Sequence, residues 1–420
     1  LKLLITVILV LLTGLFMPQA AYADYLVPMD LSQTNHLKAY GLVYKVLEKG
    51  GEAKWLLNYR GGSFLIPEID IAASRARAMG VEVVKLSGSE IASIYGEIEQ
   101  SNMETVLLEQ APKVAVYAPP DKQPWDDAVM LVLEYSEIPY DIIYDREVLT
   151  GKLGNYDWLH LHHEDFTGQY GKFYASYRHR EWYIKQQIIF ERRASSLGFD
   201  KVSEEKKAVA GAIKEYVRKG GFLFAMCSGC DSFDIALAAR GIDIVPREFD
   251  HDGMTPDCQN RLDYGNCLAF EGFTLITNPY VYEYSDIDMT ETAAKRPEEN
   301  DFFTLFEFSA KHDPVPTMLV QNHVSVIKGF MGQTTSFKKS LIKDRVLILG
   351  QVKGKDEARY IHGNFAKGTF TFLGGHDPED YKHFVGDLPT RLERYPHSPG
   401  YRLILNNILF PAAEKKEQKT

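Results

Sequence analysis

Residues 220–241, GGFLFAMCSGCDSFDIALAARG, run from an apolar strand-like segment through a short polar knot into an apolar helical segment. The same alternation recurs upstream: KVAVYAP (113–119), a helix from WDDAVMLVLEYSE, the strands YDIIYD and YDWLHLHH, and a helix over 204–219 that feeds GFLFAM. Strands separated by helices of about ten or more residues cannot pair through tight hairpins, so they pair in parallel. The pattern predicts an α/β fold, a three-layer sandwich built on a mostly parallel sheet. In such sheets chemistry gathers beyond the carboxyl ends of the strands. Both the Cys227 knot and the HLHHED run (160–165) fall there.

A smaller α/β lobe is expected over 24–105. Its strands are YLVPMD, EAKWLLNY and VEVVKL, its helices SQTNHLKAYGLVYKVLEKGG and IDIAASRARAMG, and RGGSFLI is a turn and extension. SEIASIYGEIEQSNMETVLLEQ is expected to be a helical linker into Pro112. Two segments interrupt the later alternation: 166–200, rich in aromatic and basic residues, and 245–320, acidic and aromatic. Insertions at strand ends commonly wall a pocket. ARYIHGNFAKGTFTFLGGHDPEDY reads as two strands and a turn, and SPGYRLILNNILF as a closing helix capped by Ser398 with Pro399 in its first turn. Residues 413–420 are expected to be a disordered tail.

The chain opens with Lys2, an apolar run of about fifteen residues and the triplet Ala21-Tyr22-Ala23, the layout of a secretory signal peptide over 1–23. The expectation is an exported protein, periplasmic or extracellular, without stable membrane insertion. A net charge of −10, with acids and bases interspersed, leaves no basic stripe for phosphates and excludes nucleic acid as a partner. The partner expected is a small-molecule substrate. Of the four cysteines, Cys258 and Cys267 could close a small loop as a disulfide; a zinc site of Cys227, Cys230, Cys258 and Cys267 is an alternative with an unusually wide second spacing.

Cys227 admits several roles. A strand that stops at a small residue and turns at once into a helix exposes that residue above the sheet, beside the free N–H groups of the helix start. The positive helix end favours a thiolate, and the amides of Ser228 and Gly229 are candidates to hold an oxyanion. The base expected is His376, with Asp377 or Glu379 to orient it, which is triad logic. Alternatively, Cys227 and Cys230 form a thioredoxin-type pair, or SGCDS (228–232) is a phosphate-cradling loop, or Cys227 is an inert buried thiol.

The strand–Cys–helix elbow and the Gly-Gly-His-x-Pro-Glu turn at 374–379 resemble the class I glutamine amidotransferase-like superfamily, over about residues 112–412. The resemblance implies a flavodoxin-like fold and a Cys-His-acid site at Cys227, His376 and Glu379 or Asp377. Ala225 stands where that family's elbow has its first Gly, and Asp377 is inserted between His376 and Pro378. Through NHLKAYGLVYKVLEKG, YDWLHLHHEDFTGQYGKFYASYR and GGHDPEDY the chain also resembles exported bacterial proteins labelled asparagine synthetase B. The loop at 228–232 is one residue shorter than the pyrophosphate loop of such synthetases, and no cysteine precedes Cys227.

His162, His163, Glu164 and Gly168 are expected to line the cleft. Period two puts His160 and His162 on one strand face, where imidazoles and carboxylates could bind zinc or manganese or could simply be packed strand and loop residues. No metal or cofactor is expected. The function expected is that of a Cys-dependent hydrolase or acyl-transfer enzyme acting on a small-molecule amide or ester. The alternatives are a non-catalytic carbohydrate- or peptide-binding protein of the same fold and an ATP-using amide ligase.

Overall fold

Two sheets organise the chain in a computed structural model that describes residues 24–121 and 126–414. The signal-peptide-like segment 1–23 and residues 415–420 of the expected tail lie outside the described residues. The first sheet contains β1 (Asp24–Val27), β2 (Ala53–Leu57), β3 (Ser63–Pro67), β4 (Val84–Leu86) and β5 (Glu104–Leu108), in the order β4-β1-β3-β2-β5. Every pairing in it is antiparallel. The expected helical linker is helical only over Gly88–Gln100, which opens on a Ser87–Glu90 capping box. Beyond Ser101, the β-branched pair Thr105-Val106 and the two leucines after it form β5, with Val106 opposite Trp55. Residues 413–414, expected to be disordered, are ordered against this strand, Ala413 bridging Leu108.

The second sheet has ten strands: β6 (Val114–Tyr117), β7 (Asp141–Ile143), β8 (Trp158–Leu161), β9 (Phe222–Met226), β10 (Phe302–Leu305), β11 (Val326–Lys328), β12 (Phe337–Lys338), β13 (Leu347–Gln351), β14 (Glu357–Phe365) and β15 (Gly368–Leu373). They run β11-β10-β13-β14-β15-β9-β8-β6-β7, with β12 added on β14. From β15 to β7 all neighbours are parallel, as the alternation of strands and helices predicts for β6 to β9. The remaining strands extend the sheet antiparallel from the β14–β15 hairpin.

The central parallel strands β6, β8 and β9 bury apolar side chains on both faces, as strands covered on both sides do. Val114, Val116, Trp158, Phe222, Phe224 and Met226 enter one core, while Ala115, Tyr117, Leu159, Leu161, Leu223 and Ala225 enter the other. Each such buried large side chain stabilises the fold by about 1.5–3 kcal/mol relative to exposure. Helices Ala128–Tyr135 and Pro399–Leu409 contribute to the first core, and Val202–Lys219 and Ser228–Ala238 to the second. Helix His36–Glu48 and Trp55 and Phe64 of the first sheet share the first core, so the N-terminal sheet is joined to the parallel sheet by continuous packing. The closing helix is capped by Ser398, with Pro399 at its first position, as read from the sequence. Among the described residues no helix is long and apolar enough to cross a membrane.

Candidate active site

Four neighbouring parallel strands are each followed by a chemistry-bearing residue: His162 and His163 directly after β8, Cys227 directly after β9, His376 shortly after β15, and Asp126 in the longer segment between β6 and the next helix. Cys227 links β9 directly to helix Ser228–Ala238 and turns the chain with φ 50° and ψ −138°. That conformation disfavours a residue with a Cβ and is typical of a sharp strand-to-helix elbow. The thiol is nearly buried, at 4% exposure, yet it borders a pocket of about 400 Å³. Its sulfur sits at the positive end of the helix and accepts the Gln333 N–H at 3.2 Å.

His376 is held by backbone contacts with the segment 330–336. Its N–H donates to Met331 O at 2.9 Å, and the Gly375 N–H donates to Thr334 O at 2.8 Å. Gly375 has φ 100°, and a Cβ there would stand 2.4 Å from the Phe330 ring, so only glycine fits this turn. Arg359 fixes the same segment from below, donating to Phe330 O at 2.9 Å and to both Asp301 oxygens at 2.8 and 2.9 Å. The result brings a ligand atom of His376 within 4.8 Å of the Cys227 sulfur.

The carboxylate facing His376 is Asp126, whose Oδ1 lies 3.9 Å from Nε2, the distance of an ion pair. Burial opposes a charged imidazole, but Asp126 and the Cys227 sulfur outweigh it and lift the His376 pKa to about 10. Burial likewise raises the Asp126 carboxyl, and His376 and His383 outweigh it, so its pKa is lowered overall. His383 stacks on His376 with ring centroids 4.3 Å apart and brings Nε2 to 3.1 Å from the same Asp126 oxygen. His162 and His163 complete the cluster, with ring centroids 4.7 and 4.6 Å from His376.

Several expected site residues stand elsewhere. Asp377 accepts the Glu379 N–H at 2.8 Å, and Glu379, its carboxyl raised by burial, faces Ser398. The Gly229 N–H donates to His162 O at 2.8 Å, which commits it to the scaffold and leaves Ser228 as the leading amide beside the sulfur. Glu164 accepts from Tyr144 at 2.9 Å and lies 3.6 Å from buried Lys206; it borders a neighbouring cavity with Asp126 and Asp127. Gly168, at φ 82°, packs against Ser203. His160 is a packed strand residue, its Nδ1 3.2 Å from Phe224 O.

The other roles considered for the knot fit the geometry less well. Cys230 points toward Leu373 O at 3.9 Å, and burial, reinforced by the Asp231 carboxylate, pushes its thiol well above the usual range. Residues 228–232 form the first turns of the helix, where the Ser232 hydroxyl donates to Ser228 O at 2.5 Å, so they are no open phosphate loop. Cys258 and Cys267 are free buried thiols, not a disulfide. Among the described residues, Cys227 is the one cysteine that joins a cluster of three or more metal-ligating side chains.

Nothing in the local sequence marks Asp126, Asp127 or His383 as chemistry-bearing. WDDAV reads as a helix start, and Asp127 does cap that helix, accepting the N–H groups of Val129 and Met130. The available signal was position: both aspartates follow the carboxyl end of a parallel strand. Residues 166–200 border the pocket through Phe173 and Tyr177, and residues 245–320 through Tyr282 and Glu283. The Gln333 side chain ties to the first of them, donating to Gly171 O at 2.6 Å. A larger cavity of about 890 Å³ opens at the opposite, amino end of the parallel strands, walled by Val106, Phe222, Met318 and Phe410.

No family model and no curated protein matches the chain. Among solved structures it is similar to two cytoplasmic proteins of Salmonella typhimurium, STM3548 (12% identity, TM-score 0.33) and STM1381 of strain LT2 (12% identity, TM-score 0.36), each match covering 72% of this chain and 100% of the other. It is also similar to a catalytic mutant of Gan42B, a GH42 β-galactosidase from G. stearothermophilus (12% identity, TM-score 0.26), over 64% of this chain and 28% of that one. At these TM-scores the likenesses carry no argument about chemistry.

Proposed function

We propose that this protein is a cysteine-dependent hydrolase or acyl-transfer enzyme acting on an amide or ester of a small molecule, on a divergent class I glutamine amidotransferase-like scaffold. The observation that carries the proposal is a cysteine in a strained strand-to-helix elbow with an imidazole within 4.8 Å of its sulfur. The flavodoxin-like assignment is supported by strand order: taken along the sheet, β7-β6-β8-β9-β15 is the order 2-1-3-4-5 of that fold. Asp126 and His162 then flank its switch point between β6 and β8, where ligands of such sheets bind.

In this proposal the Cys227 sulfur, held as a thiolate by the helix end and protonated His376, attacks the substrate carbonyl. The Ser228 N–H, next to the attacking sulfur, stabilises the oxyanion. His376 delivers its proton to the departing amine or alkoxide, leaving a thioester on Cys227. It then takes a proton from the water that cleaves the thioester. Asp126 supports the imidazolium as the acid of the triad, in place of the Asp377 or Glu379 expected from the sequence.

The test is alkylation by iodoacetamide, mapped by mass spectrometry. Cys227 is expected to react selectively at neutral pH, and its reactivity to fall in His376→Ala. A Cys227 no more reactive than Cys230 would move the assignment to a binding protein of the same fold.

A further inference from the structure

Next to the nucleophile stands a set of imidazoles that acyl chemistry does not require. One ligand atom from each of His162, His163, Cys227 and His376 lies within 4.8 Å of the other three. His162 is 1% exposed, and its Nε2 has no hydrogen-bond partner. Its other nitrogen is engaged from behind: Nδ1 lies 3.3 Å from Asp127 Oδ1 and 3.3 Å from His160 Nε2. A carboxylate accepts, so Nδ1 carries the proton and Nε2 presents a lone pair to the cluster. The His163 Nε2 donates to Asp126 O at 2.6 Å, so Nδ1 is the basic nitrogen of the neutral ring. An imidazole that binds a transition metal usually has its far nitrogen held in this way by a carboxylate or a carbonyl. Packing alone gives no reason to leave a buried imidazole nitrogen unsatisfied.

We infer that the Cys227 thiolate and the imidazoles of His162, His163 and His376 form a site for a borderline-soft divalent cation of the zinc type, and that occupancy holds the nucleophile and its base in an inactive, metal-bound state. Three nitrogens and one sulfur are a donor set zinc takes tetrahedrally. Bonds of about 2.0–2.1 Å to nitrogen and about 2.3 Å to sulfur put neighbouring donors roughly 3.3–3.6 Å apart, so closing the site needs side-chain shifts on the order of 1 Å. Cys227, His163 and His376 border the 400 Å³ pocket, which gives the ion access. Binding releases one proton to solvent, the one His376 carries in the thiolate–imidazolium pair with Cys227, and no other covalent bond changes. The inhibitory half rests on the hydrolase proposal; the binding half does not.

The experiment titrates Co²⁺ into chelator-treated protein and follows its absorption. Wild type is expected to take one equivalent with tetrahedral ligand-field bands and a thiolate-to-cobalt charge-transfer band. Cys227→Ser should lose the charge-transfer band, Cys230→Ser should keep it, and His162→Gln should weaken affinity about 10–100-fold or more while circular dichroism stays native. Absence of the band at stoichiometric Co²⁺, or its survival in Cys227→Ser, would overturn the site. In a second arm, equimolar Zn²⁺ should slow iodoacetamide alkylation of Cys227 at least about tenfold, reversibly on adding chelator. Unchanged alkylation of the zinc-loaded protein would overturn the inhibitory role. A charge-transfer band in a protein whose metal-free Cys227 is inert would keep the metal site and remove the hydrolase.

Discussion

The elbow at Cys227 can be tested through stability, independently of any substrate, by comparing Cys227→Gly with Cys227→Ala. Both variants lack the sulfur and therefore its hydrogen bond from Gln333, so that loss cancels. At φ 50°, ψ −138° an alanine retains the strain, on the order of 1–3 kcal/mol, and glycine releases it. Against this, glycine carries about 0.5–1 kcal/mol of extra backbone entropy in the unfolded chain. It also forgoes the burial of one methyl, about 0.8 kcal/mol at this nearly buried site. Taking about 2 kcal/mol for the strain, the terms sum to a glycine variant about 0.5 kcal/mol more stable than the alanine variant. At an unstrained site the same terms make glycine the less stable by about 1.5 kcal/mol. Urea unfolding of the two proteins under one set of conditions, with reversibility checked, reads the difference from the midpoints. An alanine variant more stable by 1 kcal/mol or more would show a relaxed backbone at 227 and remove the geometric basis of the elbow.

Two further perturbations address the acid of the triad and the buried histidines. Asp126→Asn is expected to lower turnover of an activated ester by about 10²–10⁴-fold, while Glu379→Gln stays within a few-fold of wild type; equal losses would return the role to the carboxylates beside His376. His362, buried on β14 with Nδ1 2.9 Å from the Thr371 hydroxyl, has its pKa lowered by burial from 6.5 to about 4. The unfolded chain therefore binds more protons between those values, and stability falls as pH drops from about 6.5 to 4, by up to about 3 kcal/mol. In His362→Gln the urea midpoint should fall less steeply over that window, and an unchanged slope would assign the acid sensitivity to other groups.

What could be read from the chain and what could not divides along sequence distance. β6, β8, β9 and β15 are each an apolar run bounded by polar or glycine residues, so their existence and the knot after β9 are visible locally. Their order along the sheet is not local. Asp126 meets His376 only because β6 lies beside β8, β8 beside β9 and β9 beside β15, and nothing in the neighbourhood of either residue encodes that chain of adjacencies. Sequence proximity to His376 therefore points to Asp377 and Glu379, which in space are engaged with Glu379 N–H and Ser398. The first sheet is limited in the same way. Its strand–helix alternation is legible, but antiparallel pairing follows from tertiary packing, and β5 was masked by the helical stretch just before it.

The cluster of imidazoles is the strongest case. HLHHED displays three histidines together, but the end of β8 at Leu161 separates their environments: His160 packs on Phe224 within the strand, whereas His162 and His163 lie past the strand end and meet Cys227 and His376 from two other strands. Whether such histidines are packing or ligands depends on what stands behind each ring. Asp127 behind His162, and the Asp126 carbonyl behind His163, both come from the turn after β6, where the sequence displays only a helix cap. One loop thus orients the imidazoles from behind and supplies the carboxylate facing His376. The proposed hydrolase and the proposed metal site consequently share a single support, and a change to the 126–127 turn should move both together.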